Sequence, residues 1–213
     1  MPSWSTSVAE AGALLLASSS PRRRDLLKRI GLPFEAVPPE IDETIDDAGN
    51  SGALVVALAA GKAAAVAARY PGRHVLAADT MVRVDGRLLG KPTDAAEAAG
   101  MLRALSGRWH EVLTGVVLLR ADGWRGERVS CTEVHFADLS EEEVLRYSSG
   151  AEPFDKAGGY GIQGAAGWFV TGIRGSFSNV MGLPLESVRD LVLEAGLPLP
   201  SLGHPAAGGP LGH

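Results

Sequence analysis

The most constraining stretch of this chain is Leu14-Leu15-Leu16-Ala17-Ser18-Ser19-Ser20-Pro21-Arg22-Arg23-Arg24. An apolar run of strand length halts at three serines and gives way to a helix start. Ser20 suits the N-cap, and Pro21 the first helical position, where an N–H would be orphaned anyway. The spacing predicts a helix over Arg22–Ile30, with Leu26, Leu27 and Ile30 on one face and Gly31 closing it. Three arginines in the first turn face the positive end of the helix dipole, at a cost of up to about 1 kcal/mol each. An anion held by backbone N–H groups, serine hydroxyls and guanidinium forks would reverse that cost. The stretch reads as a polyphosphate cradle; a solvated basic helix start is the competing reading. On the cradle reading, removing Arg23 weakens triphosphate binding and leaves folding stability unchanged or slightly raised.

Composition narrows the partners. The chain has 213 residues, 46% apolar and 21% charged, the profile of an ordinary globular protein. Its net charge of -5 argues against duplex nucleic acid, and its locally clustered basic residues suit a small anionic ligand. The single cysteine, Cys131, excludes an internal disulfide and a cysteine-based zinc site, and its alternating surroundings predict an inert, half-buried thiol. Met1–Ala13 lacks a signal-peptide pattern and no apolar run is expected to reach transmembrane length, so the expectation is a cytoplasmic protein with no membrane partner.

Strands and helices alternate along the chain as in an α/β protein. Phe34–Val37 reads as a second strand, followed by an acidic loop from Glu40 to Gly52 and an Ala-rich helix from Ala53 to Tyr70. His74–Asp79 reads as a short buried strand ending on its carboxylate, and Asp85-Gly86 as the turn of a hairpin. Asp94 with Glu97 and Ser140 with Glu143 form capping boxes for two further helices, the first ending near Leu105. Between them lie two long strands, Trp109–Arg120 and Glu127–Phe136. A Gly-dense loop over Glu152–Gly164, a strand over Trp168–Ile173, a second loop over Gly175–Leu183 and a helix opened by Pro184 complete the pattern. One unit over residues 14–197 is expected, with flexible ends at 1–13 and 198–213.

Three polar sets fall at predicted strand ends or in Gly-rich loops, where α/β proteins bind ligands. Arg22, Arg23, Lys62, Lys91 and Lys156 are cationic; Glu43 and Asp79, with Asp42 or Asp155, are anionic; Ser18, Ser20, Thr80 and Gln163 are neutral. Cations suit phosphate oxygens, and a few carboxylates among them suit Mg²⁺. There is no P-loop, no dinucleotide fingerprint and no nucleophile elbow, and the five histidines show no ligand spacing. His110 and His135 read as structural. The residues alone thus point to a metal-assisted hydrolase, or a binder, of a phosphate ester.

Six motifs in register go further. Ser18–Arg24 with Leu26-Leu27, Ala78-Asp79-Thr80, Gly90-Lys91-Pro92, Met101-Leu102 with Leu105-Ser106-Gly107, Asp155–Gly164 and Gly182–Leu185 resemble the Maf proteins, nucleoside triphosphate pyrophosphatases. The resemblance runs from about Leu14 to Glu194. It implies a single two-lobed α/β domain with a mixed, extended sheet and a central cleft, similar to the inosine triphosphate pyrophosphatases. It also implies hydrolysis of a nucleoside triphosphate to monophosphate and pyrophosphate with a divalent metal, Mg²⁺ or Mn²⁺, by a homodimer. The family pattern assigns water activation to Asp79 and metal binding to Asp79 and Glu43. It gives triphosphate contacts to Ser20, Arg22, Arg23, Lys62 and Lys91, and base selection to Arg22, Thr80 and Gln163. Gly61, where many relatives carry a polar residue, departs from the pattern, and Arg24 has no family role. The pattern of the loop Lys156–Gly164 resembles that of the family's dTTP/UTP branch, and the chemistry agrees: the amide of Gln163 offers the donor and acceptor that thymine and uracil need. A nucleotide-binding regulator of cell division with little catalysis is the alternative reading.

Overall fold

The computed structural model describes residues 13–41 and 51–200. Its first half comprises β1 (Leu14–Ala17), α1 (Pro21–Arg29), β2 (Phe34–Val37), α2 (Ser51–Arg69), β3 (Val75–Val84) and β4 (Arg87–Leu89). The second half comprises α3 (Ala95–Leu105), β5 (Trp109–Leu119), β6 (Arg125–Phe136), α4 (Glu141–Ser148), β7 (Val170–Arg174), α5 (Phe177–Val180) and α6 (Leu185–Glu194). Three 3-10 turns, Pro153–Asp155, Ala157–Gly159 and Ala165–Phe169, lie between α4 and β7.

Local chemistry explains most element ends. Pro21 opens α1, and Gly31 at φ 68° closes it, with its N–H on the Lys28 carbonyl and the Leu32 N–H on the Leu27 carbonyl, the 5→2 and 6→1 pairing of a Schellman end. Asp85 and Gly86 both take positive φ, 48° and 77°, as the two-residue β3–β4 turn demands. Ser140 and Glu143 form the expected reciprocal box. Asp94 caps α3 by accepting the Glu97 N–H at 2.8 Å, but Glu97 turns its carboxylate to the N–H and hydroxyl of Thr93 instead of returning it to Asp94.

The strands form one mixed seven-stranded sheet in the order β2-β1-β3-β5-β6-β7, with β4 also on β3. β1 lies parallel to β2 and β3, and every other pairing is antiparallel. β3 is the hinge of the architecture and alternates between two cores. Val75 and Ala77 pack with Ala59, Ala63 and Val66 of α2; Leu76 and Ala78 pack with Leu26 and Leu27 of α1 and with Leu191 of α6. The opposite end of the sheet closes around Leu102, Phe136, Tyr147, Tyr160 and Phe169.

Several sequence expectations change. β3 does not stop at Asp79 but runs unbroken to Val84, because Asp79 pairs with Gly115 and Thr80 with Thr114 on β5. β7 begins only at Val170, after the 3-10 turn over Ala165–Phe169, and Pro184 is the N-cap of α6 rather than its first helical residue. The Gly175–Leu183 loop contains the short helix α5. Cys131 is exposed, since this part of β6 is covered on one face alone. Leu199 still packs on the α1–α6 core, so ordered chain extends into the expected tail. α2 is long and apolar enough, by length and composition, to cross a membrane, contrary to expectation. Here its Val55, Ala59, Ala63 and Val66 face is buried against the sheet. The expectations for residues 1–12 and 201–213, and for the acidic loop over 42–50, lie outside the described residues.

Candidate active site

The site begins with a gap in hydrogen bonding. Along one edge of β3, β1 pairs as far as Ala77, and pairing with β4 begins at Val82. Among the described residues no strand pairs with Ala78–Met81 on that edge. A parallel strand leaves and an antiparallel one arrives, and the interval between them opens into a cleft of about 500 Å³. This is the equivalent, on a mixed sheet, of the switch point at which open α/β sheets bind ligands.

Asp79 and Thr80 stand in that gap on opposite faces of the strand, because side chains alternate with period 2. Asp79 faces α2, where its Oδ1 accepts a hydrogen bond from Lys62 Nζ. Both side chains are buried, Lys62 at 4% exposure and Asp79 at 6%. The pair is possible because α2 lies directly on β5. A Cβ on Gly115, the residue opposite Asp79, would come within 2.4 Å of the Val55 carbonyl carbon. Buried ion pairs contribute little net stability when intact, but removing one partner costs about 3–5 kcal/mol by leaving the other charge uncompensated.

Thr80 faces α1 and belongs to a second network. Arg23, 9% exposed, donates from Nε to the Gly182 carbonyl at 2.7 Å, from Nη2 to Thr80 Oγ1 at 3.0 Å and from Nη1 to Ser18 Oγ at 3.3 Å. Thr80 also shares a 3.0 Å hydrogen bond with Thr114. Arg23 therefore braces β1, β3 and the Gly182 turn, and the expectation that its removal leaves folding untouched is overturned. Ser20 occupies the N-cap of α1 by conformation, but its hydroxyl makes no capping bond and lines the cleft. Arg22 reaches across the cleft mouth, with Nη1 2.9 Å from Asp155 Oδ2 and Nη2 3.3 Å from the Asp155 carbonyl.

The opposite wall is the Gly-dense segment. Gly158 and Gly159 take φ of 71° and 69°, and a Cβ on Gly158 would strike Val82 at 2.9 Å. The Gly158 N–H bonds the Gly90 carbonyl at 2.9 Å, which stitches this wall to the turn carrying Lys91. Lys156 binds the Glu152 carbonyl at 2.6 Å and also Asp155. Burial works to raise the Asp155 pKa, but the bonds from Lys156 and Arg22 outweigh it and hold the carboxyl below its ordinary value. Gln163 is exposed at the rim.

The cleft thus collects Ser20, Arg22, Arg23, Lys62, Asp79, Thr80, Lys91 and Gln163, the eight residues to which the family pattern gives a role within the described residues, together with Ser18, Asp155 and Lys156. Glu43 lies outside the described residues. Among those described, no three His, Cys, Asp or Glu side chains cluster as a preformed metal cage. One buried carboxylate surrounded by cations fits a hard divalent cation that takes most of its ligands from phosphate oxygens and water, as Mg²⁺ does. Sequence reasoning missed the Gly182 carbonyl and Thr114, which hold Arg23 and Thr80; nothing in their local sequence signals contact with residues that far away along the chain. Asp155 was legible only as a possible anion and proves to be the partner of Arg22.

A family profile described as Maf-like protein matches residues 13–195. A protein of Symbiobacterium thermophilum named dTTP/UTP pyrophosphatase is 50% identical over 188 residues, covering 87% of this chain and 95% of its own. One of the same name from Myxococcus xanthus is 49% identical over 192 residues, covering 90% and 97%. Among solved structures, a nucleoside-triphosphatase / dITP/XTP pyrophosphatase of Mycobacterium abscessus overlaps 60% of this chain and 76% of its own at 20% identity, with a TM-score of 0.41, too slight a likeness to bear on the fold.

Proposed function

The chain belongs to the Maf family, and on that footing we propose that it is a nucleoside triphosphate pyrophosphatase that cleaves dTTP and UTP to the monophosphate and pyrophosphate. The names of its relatives favour catalysis over a purely regulatory binding role. One observation carries the chemistry: a buried carboxylate, Asp79, held by Lys62 in the unpaired interval of a central strand.

The triphosphate enters among cations. Arg22, Lys62 and Lys91 meet its oxygens together with the N-terminal N–H groups of α1 and the Ser20 hydroxyl. A phosphate oxygen arriving at the gap brings a second negative charge to the Lys62 ammonium and competes with Asp79 for it. The carboxylate released in this way takes a proton from water. That water attacks the α-phosphorus, the bond from this phosphorus to the bridging oxygen breaks, and pyrophosphate leaves with the electron pair. Mg²⁺ or Mn²⁺, held by Asp79 with Glu43, would neutralise developing charge on the phosphates. Arg23 acts through its grip on Thr80 and Gly182 as well as through its charge. Gln163 faces the base, where its amide matches the O4 acceptor and N3–H donor of a pyrimidine. A homodimer and a cytoplasmic location complete the proposal, resting on the family resemblance; light scattering of the purified protein tests the first.

The deciding experiment incubates purified protein with dTTP, UTP, CTP and 7-methyl-GTP, with Mg²⁺ or with chelator, and measures pyrophosphate. Release from dTTP and UTP above the others, lost with chelator, is expected. No release from any nucleotide with either Mg²⁺ or Mn²⁺ would refute the reading.

A further inference from the structure

Behind the Gly-dense wall lies a buried polar group that the chemistry above leaves unused. His110 of β5 is 2% exposed, and its Nε2 lies 2.8 Å from the Tyr160 hydroxyl. The two rings and that of Phe136 pack edge to face, with centroids 5.4 Å apart for His110–Tyr160, 5.0 Å for His110–Phe136 and 4.8 Å for Phe136–Tyr160. Burial pushes the His110 pKa down to about 4, so the ring is neutral at pH 7. A neutral imidazole at full burial packs no better than leucine and costs more to desolvate, so packing alone gives no reason for a histidine here.

What the hydroxyl bond does supply is direction. Tyr160 follows two glycines in left-handed conformation and precedes Gly161-Ile162-Gln163. Glycines of that kind leave a segment free to shift unless it is tied from outside. Beside the Gly158–Gly90 bond, two ties reach the residues that follow: the Gly161 N–H donates to the Tyr147 hydroxyl at 3.2 Å, and Tyr160 bonds His110. Aromatic faces let a ring slide, whereas a hydrogen bond of 2.8 Å fixes its depth. Tyr160 is among the residues that line the cleft, so its depth sets the height of the wall on which Gln163 stands.

We infer that His110 is a positioning residue for base recognition: through Tyr160 it fixes Gly161–Gln163 at the cleft wall while touching neither the nucleotide nor the reacting atoms. The inference rests on the reading of Gln163 as the base-facing residue, and extends specificity to a β5 residue one layer behind the site.

The test uses the full-length protein and two probes, dTTP as substrate and inorganic triphosphate as a competitive inhibitor that engages the phosphate end alone. Tyr160→Phe removes the hydroxyl and keeps the ring; His110→Leu removes the imidazole; in His110→Gln the terminal amide can stand in for Nε2. Tyr160→Phe and His110→Leu are expected to raise KM for dTTP about 5- to 20-fold with kcat changed less than about twofold. Inhibition by inorganic triphosphate should be unchanged, and His110→Gln should return KM toward the wild-type value. An unchanged KM in Tyr160→Phe would overturn the inference. So would triphosphate inhibition weakened by the same factor, since the whole cleft would then have loosened. If His110→Leu fails to fold, Tyr160→Phe decides alone. Gln163→Ala separates the premise from the inference. If it leaves the dTTP KM unchanged, the base-facing reading fails; if it raises KM while Tyr160→Phe does not, the positioning role alone fails.

Discussion

The two walls of the cleft are built on opposite plans. The phosphate wall consists of regular elements: the first turn of α1, the middle of β3 and the fourth turn of α2 each offer polar side chains at fixed spacing. The base wall is 3-10 turns and left-handed glycines, held in place by distant groups such as His110, Tyr147 and the Gly90 carbonyl. Rigid elements suit a group that every nucleotide shares, and an externally tied loop suits the part that differs between nucleotides. The contrast teaches that the chemical step should be sensitive to single side chains, whereas selectivity should be sensitive to the loop and its supports.

The sharpest test of that division is Asp79→Asn. On the phosphate wall the change should lower kcat at least about 10²-fold, the lower end for loss of a general base, and should cost about 3–5 kcal/mol of folding stability, because the buried Lys62 charge loses its partner. Wild-type turnover in this variant, measured as pyrophosphate release, would move the chemistry elsewhere. Arg23→Ala comes next. With the Gly182 carbonyl, Thr80 and Ser18 left without their donor, it should cost about 2–3 kcal/mol of folding stability as well as weakening triphosphate binding. An unchanged denaturation midpoint would show that the phosphate wall stands without this brace.

On the base wall, Gln163→Glu should leave kcat for the chemistry intact and shift selectivity. A carboxylate facing a pyrimidine O4 pairs two acceptors, which should raise KM for dTTP and UTP by about 10-fold. Selectivity unchanged across dTTP, UTP and 7-methyl-GTP would remove Gln163 from recognition. The smallest effect joins the walls. Arg22 and Lys156 hold the Asp155 pKa low, so the folded value lies below the unfolded one. The pair then contributes stability above the ordinary carboxylate pKa, and that contribution is lost as pH falls through the folded value. Because the Asp155 side chain is 55% exposed, Asp155→Asn should cost less than about 1 kcal/mol at pH 7 and less at an acid pH below the ordinary carboxylate value. Melts at both pH values check the sign.

How much of this was legible in the sequence follows the same division. Ser20-Pro21, Gly31, Asp85-Gly86 and the Ser140–Glu143 box act within a few residues, so their chemistry can be read locally and the elements fall as expected. The strand through Asp79 could not be read as continuous, because two polar residues in a buried run look like an end until Gly115 and Thr114 are known to lie opposite. Three consecutive arginines are chemically equivalent in sequence. Only tertiary packing turns Arg23 inward to Gly182, 159 residues away, and Arg22 across to Asp155. The site residues were recognisable as a set because the motifs carry them; their division of labour was not, since it depends on which face of β3 each one meets. His110 read as structural, and its bond to Tyr160 joins residues on opposite sides of β6, α4 and two turns in the chain order.

Asp79 and Thr80 are neighbours in one strand, and each meets its own partner only through the alignment of β3 on β5. Nine residue pairs, from Val75–Leu119 to Arg83–Glu111, maintain that alignment. A slip of one position would turn every side chain of β3 to the other face. The acid would then lie beside the guanidinium of Arg23 and the hydroxyl beside the ammonium of Lys62, while the apolar residues on either side would still be buried. A chain that closed its core with the strand misaligned by one residue would be compact and inert.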